Sequence, residues 1–177
     1  NISSPNTKSL RDFHDQEKLN ELLIKLNKVK YENKIKVPLL LKVSPDISDE
    51  EIPKISDTAL KNKVSAIILT NTTNINRDKL TSKLGQEEGG LSGNPLKRQQ
   101  NCRHGIFHSK IPIVGVGGID SGKSAYDKIC AGASLLQLYT GFIYKGPTVA
   151  KDIKKDLVRI LKSEGIKNIK DAIGSRA

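Results

Sequence analysis

The residues best suited to holding a phosphate group lie in a short turn that contains Gly117 and Gly118. Glycine adopts positive φ without strain and lets the backbone approach a ligand closely. Asp120 or Ser121 can cap the helix that follows, and a helix N-terminus presents unpaired N–H groups and a positive dipole end. The turn therefore predicts a phosphate cradle. A lone glycine motif is equally consistent with a tight connection between a strand and a helix.

A second polar strand end supports the ligand-binding interpretation. The run 134–140 is apolar in its centre and ends at Tyr139 and Thr140, directly before Gly141. In (β/α) barrels the loops after the last two strands commonly form the phosphate site. Two consecutive strand ends of this character favour a bound phosphate over a simple turn.

Other polar residues interrupt or follow apolar runs. Lys42 lies within the run 37–43, which is otherwise valine, proline and leucine. A lysine in such a strand must pair with another group or point to a ligand. Asn71 and Thr72 follow the apolar run 64–70. Because the carboxyl ends of the strands carry the active site in a barrel, we expect all these side chains to share one face with the glycine turn.

Four apolar runs of strand length alternate with helical patterns. The predicted strands are residues 37–43, 64–70, 111–116 and 134–140. Helical spacing marks residues 19–29, a segment capped by Ser48 and Glu51 that extends to about Lys61, residues 125–130, and residues 149–161. Strand and helix in alternation predict an α/β fold with parallel strands. A closed (β/α) barrel needs about eight strands, so the four found here correspond to half a barrel.

Two segments between these elements are less regular. Residues 74–88 are polar and lack periodicity, which suggests a mobile loop. Asn94 and Pro95 are suited to beginning a further helix.

The composition excludes few functions by itself. Thirty Lys and Arg against 19 Asp and Glu give a net charge of +11, which favours anionic partners. Most of the excess is lysine on the polar faces of helices, and no aromatic residues are interleaved with it as in a nucleic-acid interface. Cys102 and Cys130 lack the spacing of a metal site or disulfide framework, and His14, His104 and His108 form no ligand cluster with them. No apolar run approaches the ~20 residues of a membrane helix.

Six short motifs together resemble one enzyme family, dihydroorotate dehydrogenase. They stand in the family's order at residues 1–7, 41–46, 70–73, 89–93, 115–118 and 136–140. The resemblance covers essentially the whole chain and corresponds to the C-terminal half of that enzyme. It implies the C-terminal half of an FMN-containing (β/α)8 TIM barrel, which oxidises dihydroorotate to orotate in de novo pyrimidine biosynthesis.

The resemblance also implies a class within the family. The membrane-associated, quinone-dependent enzymes (class 2) are similar to this chain in having serine at the position of Ser4, whereas the soluble class has cysteine there. Residues 145–147, Lys-Gly-Pro, are similar to the same class. Electrons would then pass from FMN to a quinone. Ser4 would be the catalytic base, although a serine hydroxyl is a poor base and needs a partner to take its proton.

The family's pattern assigns the remaining site residues. Substrate-binding residues would be Asn1, Asn6, Asn71 and Thr72. Their amides and hydroxyls can match the alternating N–H and C=O edge of a pyrimidine. Lys42 would stabilise the anionic reduced flavin. The FMN phosphate and ribityl chain would contact, largely through backbone N–H groups, Gly93, Gly117, Gly118, Tyr139 and Thr140, and further flavin contacts would come from Asn1 and Thr70.

The resemblance further implies partners and a location that lie beyond these residues. We expect residues 1–177 to be a single FMN-binding barrel region that lacks its N-terminal half, and alone to bind FMN weakly without turnover. Dihydroorotate, orotate and a quinone are the expected partners, with no nucleic acid. Membrane association would come through the missing part, at the mitochondrial inner membrane in a eukaryote or the cytoplasmic membrane in a bacterium.

Two alternative functions remain open at this point. The chain could be another FMN- or phosphate-binding barrel oxidoreductase, such as a dihydropyrimidine or lactate-type oxidase; the Asn-x-Ser-Ser-Pro-Asn stretch at residues 1–6 argues against this. A noncatalytic basic module that binds nucleic acid through its +11 charge would leave the glycine turns without a purpose.

Overall fold

A four-stranded parallel sheet forms the centre of the molecule. The computed structural model describes residues 1–5, 7–75, 77–78, 80–97 and 111–177. The strands follow one another across the sheet in chain order: β1 (Leu40–Val43), β2 (Ala66–Leu69), β3 (Ile113–Val116) and β4 (Ala133–Gln137). Each pairs in parallel with the next. All four predicted strands are therefore present, which confirms the parallel α/β class and places the four carboxyl ends at one edge.

The strands are shorter than the apolar runs that predicted them. Residues 37–39 lie outside β1, where the Leu39 carbonyl accepts a bond from the Ser65 amide at 2.8 Å. Residues 138–140 lie outside β4, and Thr140 already begins a helix. Pairing with a neighbouring strand, and not the length of an apolar run, decides where a strand ends.

Helices cover the sheet and follow its strands. Within the described residues they are α1 (Lys8–Arg11), α2 (Gln16–Glu32), α3 (Glu51–Lys61), α4 (Gly122–Cys130), α5 (Thr140–Lys145) and α6 (Val149–Ser163), with short 3-10 helices at Asp12–His14, Asn94–Leu96 and Ile169–Ala172. The four helical patterns in the sequence are confirmed as α2, α3, α4 and α6. The helices α1 and α5 were not predicted, because four and six residues are too few to show a 3.6-residue period.

Local capping signals give the helix starts that the sequence predicts. The Glu51 carboxylate accepts from the Ser48 amide at 2.6 Å, and the Ser48 hydroxyl accepts from the Glu51 amide at 3.3 Å. Ser121 caps α4, and its hydroxyl accepts from the Ser124 amide at 3.3 Å. A 3-10 helix begins at Asn94; the rest of the helix predicted there, with Cys102, His104 and His108, lies outside the described residues.

The loop predicted at residues 74–88 contains neither helix nor strand in its described part. Its two ends are joined by an antiparallel bridge between Thr73 and Leu91. Over the described residues, no helix is both long and apolar enough to cross a membrane.

The main core lies between the sheet and the pair α2 and α3. Leu19 and Leu23 of α2 and Ile52 and Ile55 of α3 are at most 1% exposed. They pack with the strand residues Leu41, Val43, Ile67, Leu69 and Ile113. Burying such a side chain stabilises the fold by roughly 1.5–3 kcal/mol. A second cluster, built on Ile119, Ala125, Val149 and Ile153, packs α4 against α6.

The contact between α4 and α6 depends on a glycine. A Cβ at Gly122 would lie 2.2 Å from Asp156 Cβ, closer than two carbons can approach. We predict that Gly122→Val lowers the free energy of unfolding by about 1–3 kcal/mol, the usual cost of overpacking. Urea denaturation measures it. Lys123→Ala, at an exposed neighbouring position, is the control, and an equal midpoint for the two variants would contradict this account of the helix contact.

Candidate functional site

A cavity of about 920 Å³ opens at the carboxyl edge of the sheet. Sites for small ligands and cofactors commonly measure ~300–1,000 Å³. Every strand contributes to its wall: β1 through Lys42, and β2, β3 and β4 through the residues that follow them. The loop between Thr73 and Leu91 forms the opposite side.

Most of the predicted site residues meet in this cavity. Those that line it are Lys42, Thr70, Asn71, Thr72, Gly93, Gly117, Gly118, Tyr139 and Thr140. Tyr139 is also 77% exposed to solvent. Asn1 and Ser4 do not line the cavity, and Asn6 lies outside the described residues. The sequence therefore predicted the place of the site, and the roles of its residues stay predictions.

Lys42 brings a cation into the cavity wall. Burial lowers the pKa of its ammonium group, because removal from water disfavours the charged form. No carboxylate among the described residues forms an ion pair with it. A desolvated cation at the edge of a cavity is suited to meeting an anionic ligand.

The segment that precedes α1 is fastened to the carboxyl ends of β1 and β2. The Ile2 amide donates to the Lys42 carbonyl at 3.3 Å, and the Asn71 amide group donates to the Ser3 hydroxyl at 3.1 Å. The Ser3 hydroxyl in turn donates to the Asn1 side-chain oxygen at 2.5 Å. Ser3 is fully buried. Sequence reasoning missed it, because a serine in a polar segment carries no periodic signal.

Glycines let the loops of the rim approach one another. A Cβ at Gly90 would lie 1.9 Å from the Thr72 hydroxyl oxygen and 3.1 Å from Pro5 Cγ, so the residue next to Ser4 packs at the rim. Gly118 has φ +67°, and a Cβ there would lie 2.8 Å from Lys97 Cβ. The sequence suggested that Gly118 makes room for a ligand. The structure adds that it makes room for the neighbouring chain.

Arg77 forms several hydrogen bonds within the loop between Thr73 and Leu91, which we call the rim loop. It is a second residue that sequence reasoning missed. Its guanidinium group donates to the carbonyls of Gly85 at 3.1 Å and of Glu87 at 2.6 Å, and also to the Gly89 carbonyl. The guanidinium group thus joins the two sides of the loop through three backbone carbonyls. The polar, aperiodic sequence of the loop gave no sign of these hydrogen bonds.

His14 lies beside the segment that carries Ser4. Burial lowers the pKa of its imidazole, opposed by the nearby charge of Glu51, and it forms a hydrogen bond with the Ile2 backbone. The sequence showed only that this histidine forms no ligand cluster with the cysteines. The structure places it behind the N-terminal segment, not in the cavity wall.

The parallel sheet has a cavity at its carboxyl edge. A desolvated lysine, asparagine and threonine at the next strand end, and glycine turns beyond line this cavity. The combination defines the ligand-binding face of a (β/α) barrel protein. Comparison with known proteins identifies the family. The model of the family described as dihydroorotate dehydrogenase matches residues 1–161. The chain belongs to the dihydroorotate dehydrogenase family.

Relatives and solved structures agree with this assignment. A dihydroorotate dehydrogenase (quinone) of Trichodesmium erythraeum is 42% identical over 98% of this chain and 48% of its own length. One of Vibrio cholerae is 47% identical over 89% of this chain and 49% of its own. The crystal structure of DHODH in complex with ferulenol from Eimeria tenella is 35% identical, with a TM-score of 0.88 over 98% of this chain and 52% of that one. The chain spans about half the length of the curated relatives it matches, and the likeness confirms the predicted barrel fold.

The lowered pKa of Lys42 leads to a prediction about the stability of the protein when the cavity holds no ligand. The folded state binds the Lys42 proton less tightly than the unfolded state does, so the charged lysine costs stability below its ordinary pKa of 10.5. We therefore predict that Lys42→Met raises the Tm of the ligand-free protein at pH 7, and that this gain shrinks as the pH rises toward 10.5.

Thermal unfolding followed by circular dichroism at several pH values measures this difference. Lys154→Met, which replaces an exposed lysine of α6, is the control and should leave the Tm nearly unchanged. A lower Tm for Lys42→Met than for the control would show that the lysine stabilises the empty cavity.

Proposed function

We propose that the protein oxidises dihydroorotate to orotate, with FMN as cofactor and a quinone as the final electron acceptor. The observation that carries the proposal is the meeting of Lys42, Asn71, Thr72 and the Gly117 turn in one cavity of a chain from this family. The names of the relatives, dihydroorotate dehydrogenase (quinone), support the choice of acceptor.

The residues present fit FMN. Gly117 and Gly118, with φ of +93° and +67°, turn the backbone after β3 along the cavity wall. Thr140 lines the same cavity next to Gly93, and its hydroxyl donates to the Ser92 hydroxyl at 2.9 Å. These groups would hold the phosphate end, and Lys42 would lie against the isoalloxazine ring. When bound, FMN supplies the hydride acceptor, and the balanced reaction is dihydroorotate plus quinone giving orotate plus quinol.

Asn71 is arranged to hold a pyrimidine ring. Its side-chain N–H donates to Ser3, and its side-chain oxygen accepts from the Thr72 amide at 2.8 Å. An asparagine amide has two N–H donors and two acceptor lone pairs, so one of each remains for a ligand. The two internal bonds fix the orientation of the amide, and the remaining donor and acceptor match an N–H and C=O edge. Thr72, Asn1 and Asn6 would complete this contact.

Ser4 would remove the proton from ring C5 of dihydroorotate as the hydride leaves C6. The residue is half-buried and directly precedes Pro5, which packs against the rim. Its hydroxyl must pass the proton on, because serine alone is a weak base. Membrane association and a mitochondrial location stay predictions.

The proposal is tested by the visible spectrum of the full-length protein. An oxidised-flavin spectrum should bleach when dihydroorotate is added without oxygen, and it should return when a quinone is added. A flavin spectrum that dihydroorotate leaves unchanged would remove this substrate and favour another flavin-dependent barrel enzyme. A colourless protein that FMN cannot reconstitute would overturn the cofactor as well.

The role of Ser4 has a separate test. We predict that Ser4→Ala retains the flavin spectrum but loses at least ~100-fold in the rate of flavin reduction by dihydroorotate, the size of effect that general bases commonly supply. Ser163→Ala, an exposed serine at the end of α6, serves as the control. Undiminished reduction by Ser4→Ala would exclude Ser4 as the base.

A further inference from the structure

Asp46 connects two parts of the site that are far apart in sequence. Its carboxyl side chain is 8% exposed, and one oxygen accepts from the Arg11 guanidinium at 2.9 Å. The other oxygen accepts a hydrogen bond from the Thr73 hydroxyl. The Asp46 amide donates to the Ser44 hydroxyl at 3.1 Å, which holds the residue in the loop after β1. Both carboxylate oxygens are therefore committed to different segments.

The first segment is the one that carries Ser4. Arg11 ends α1, which follows residues 1–5 after Thr7. The other end of this segment is tied to β1 by the Ile2 amide. The ion pair between Arg11 and Asp46 therefore fixes the far end of the Ser4 segment relative to the sheet. The imidazole of His14 lies near this ion pair and near the charge of Glu51.

The second segment contains the proposed substrate-binding residues. Thr73 follows Asn71 and Thr72, and it exchanges backbone hydrogen bonds of 3.1 and 2.7 Å with Leu91. Its hydroxyl also accepts from the Ile75 amide at 3.1 Å. The hydrogen bond between the Thr73 hydroxyl and the Asp46 carboxylate therefore fixes the start of the rim loop and the direction of the backbone at Thr72.

We propose that Asp46 is a positioning residue, which fixes the Ser4 segment and the Asn71–Thr72 strand end relative to each other for the proton-abstraction step. The inference rests on the proposed function. Asp46 does not line the cavity, so it acts through Arg11 and Thr73 and not by touching the substrate. A shift of about 1 Å between a base and its substrate can cost ~100-fold in rate.

Two pairs of variants test the inference in the full-length, FMN-loaded protein. Asp46→Asn keeps the shape of the side chain but removes the charge that binds Arg11. Thr73→Val removes only the hydroxyl, and Thr73→Ser restores it. Asp156→Asn is the matched control, since that carboxylate forms an exposed ion pair with Arg159 on α6.

We expect Asp46→Asn and Thr73→Val to slow flavin reduction by dihydroorotate about 10- to 100-fold at saturating substrate. Thr73→Ser should recover most of the rate, and Asp156→Asn should match the wild type. Reoxidation of the reduced flavin by a quinone should be unchanged in every variant, because Asp46 acts on the substrate side only. Stopped-flow absorbance measures both half-reactions separately, and the flavin absorbance gives the fraction of folded, loaded protein.

The outcomes separate this inference from the function on which it rests. If dihydroorotate does not reduce the wild-type flavin, the proposed function fails and the role of Asp46 fails with it. If the wild type is reduced and both variants keep its rate while only their Tm falls, Asp46 is structural and the inference alone is wrong. Slowing of both half-reactions to the same extent would likewise overturn it.

Discussion

The pairing of four parallel strands in chain order is the constraint on which the site depends. Because every strand points the same way, residues as distant as Lys42 and Thr140 come to the same edge of the sheet. The helices that connect the strands must then pack on its face, and the aliphatic side chains of α2 and α3 that bury against β1 and β2 hold the edge in place. The topology thus places the cavity at this edge, and the loops that follow the strands supply most of its wall.

Two charged groups near this edge differ in whether the protein supplies them with partners of opposite charge. The Asp46 carboxylate is almost fully buried and has partners for both oxygens, so its cost of burial is offset within the protein. Lys42 is half-buried, and the described residues offer it no carboxylate. A buried charge without a partner lowers stability, so the presence of Lys42 is best explained by an anionic ligand that pairs with its ammonium group. The paired charge holds the scaffold and the unpaired charge faces the cavity.

Features that depend on neighbours in sequence could be predicted, and those that depend on distant contacts could not. The Ser48–Glu51 and Ser121 caps, the helices α3 and α6, and the existence of the four strands follow from local patterns. The bond between Ser3 and Asn71 joins residues 68 positions apart, and that between Asp46 and Thr73 spans 27. Nothing in either local sequence indicates the partner. The place of the site was therefore predictable, whereas the network that orders it was not.

The glycines of the rim show that one position can meet two requirements. Sequence reasoning assigned Gly93, Gly117 and Gly118 to close approach by a ligand, and that role stays a prediction. In the structure, a Cβ at Gly141 would lie 2.3 Å from the Ile119 carbonyl oxygen, and Gly90 and Gly118 are similarly close to Thr72 and Lys97. Gly118 and Gly141 let the loops after β3 and β4 pack against the connection that precedes each strand, and Gly90 packs against Thr72 within the connection after β2. A phosphate bound by backbone N–H groups needs those groups held in place beforehand, since ordering them on binding would cost affinity. The glycine positions must therefore first allow the loops to pack against one another. Only then are the backbone N–H groups held in place for a ligand.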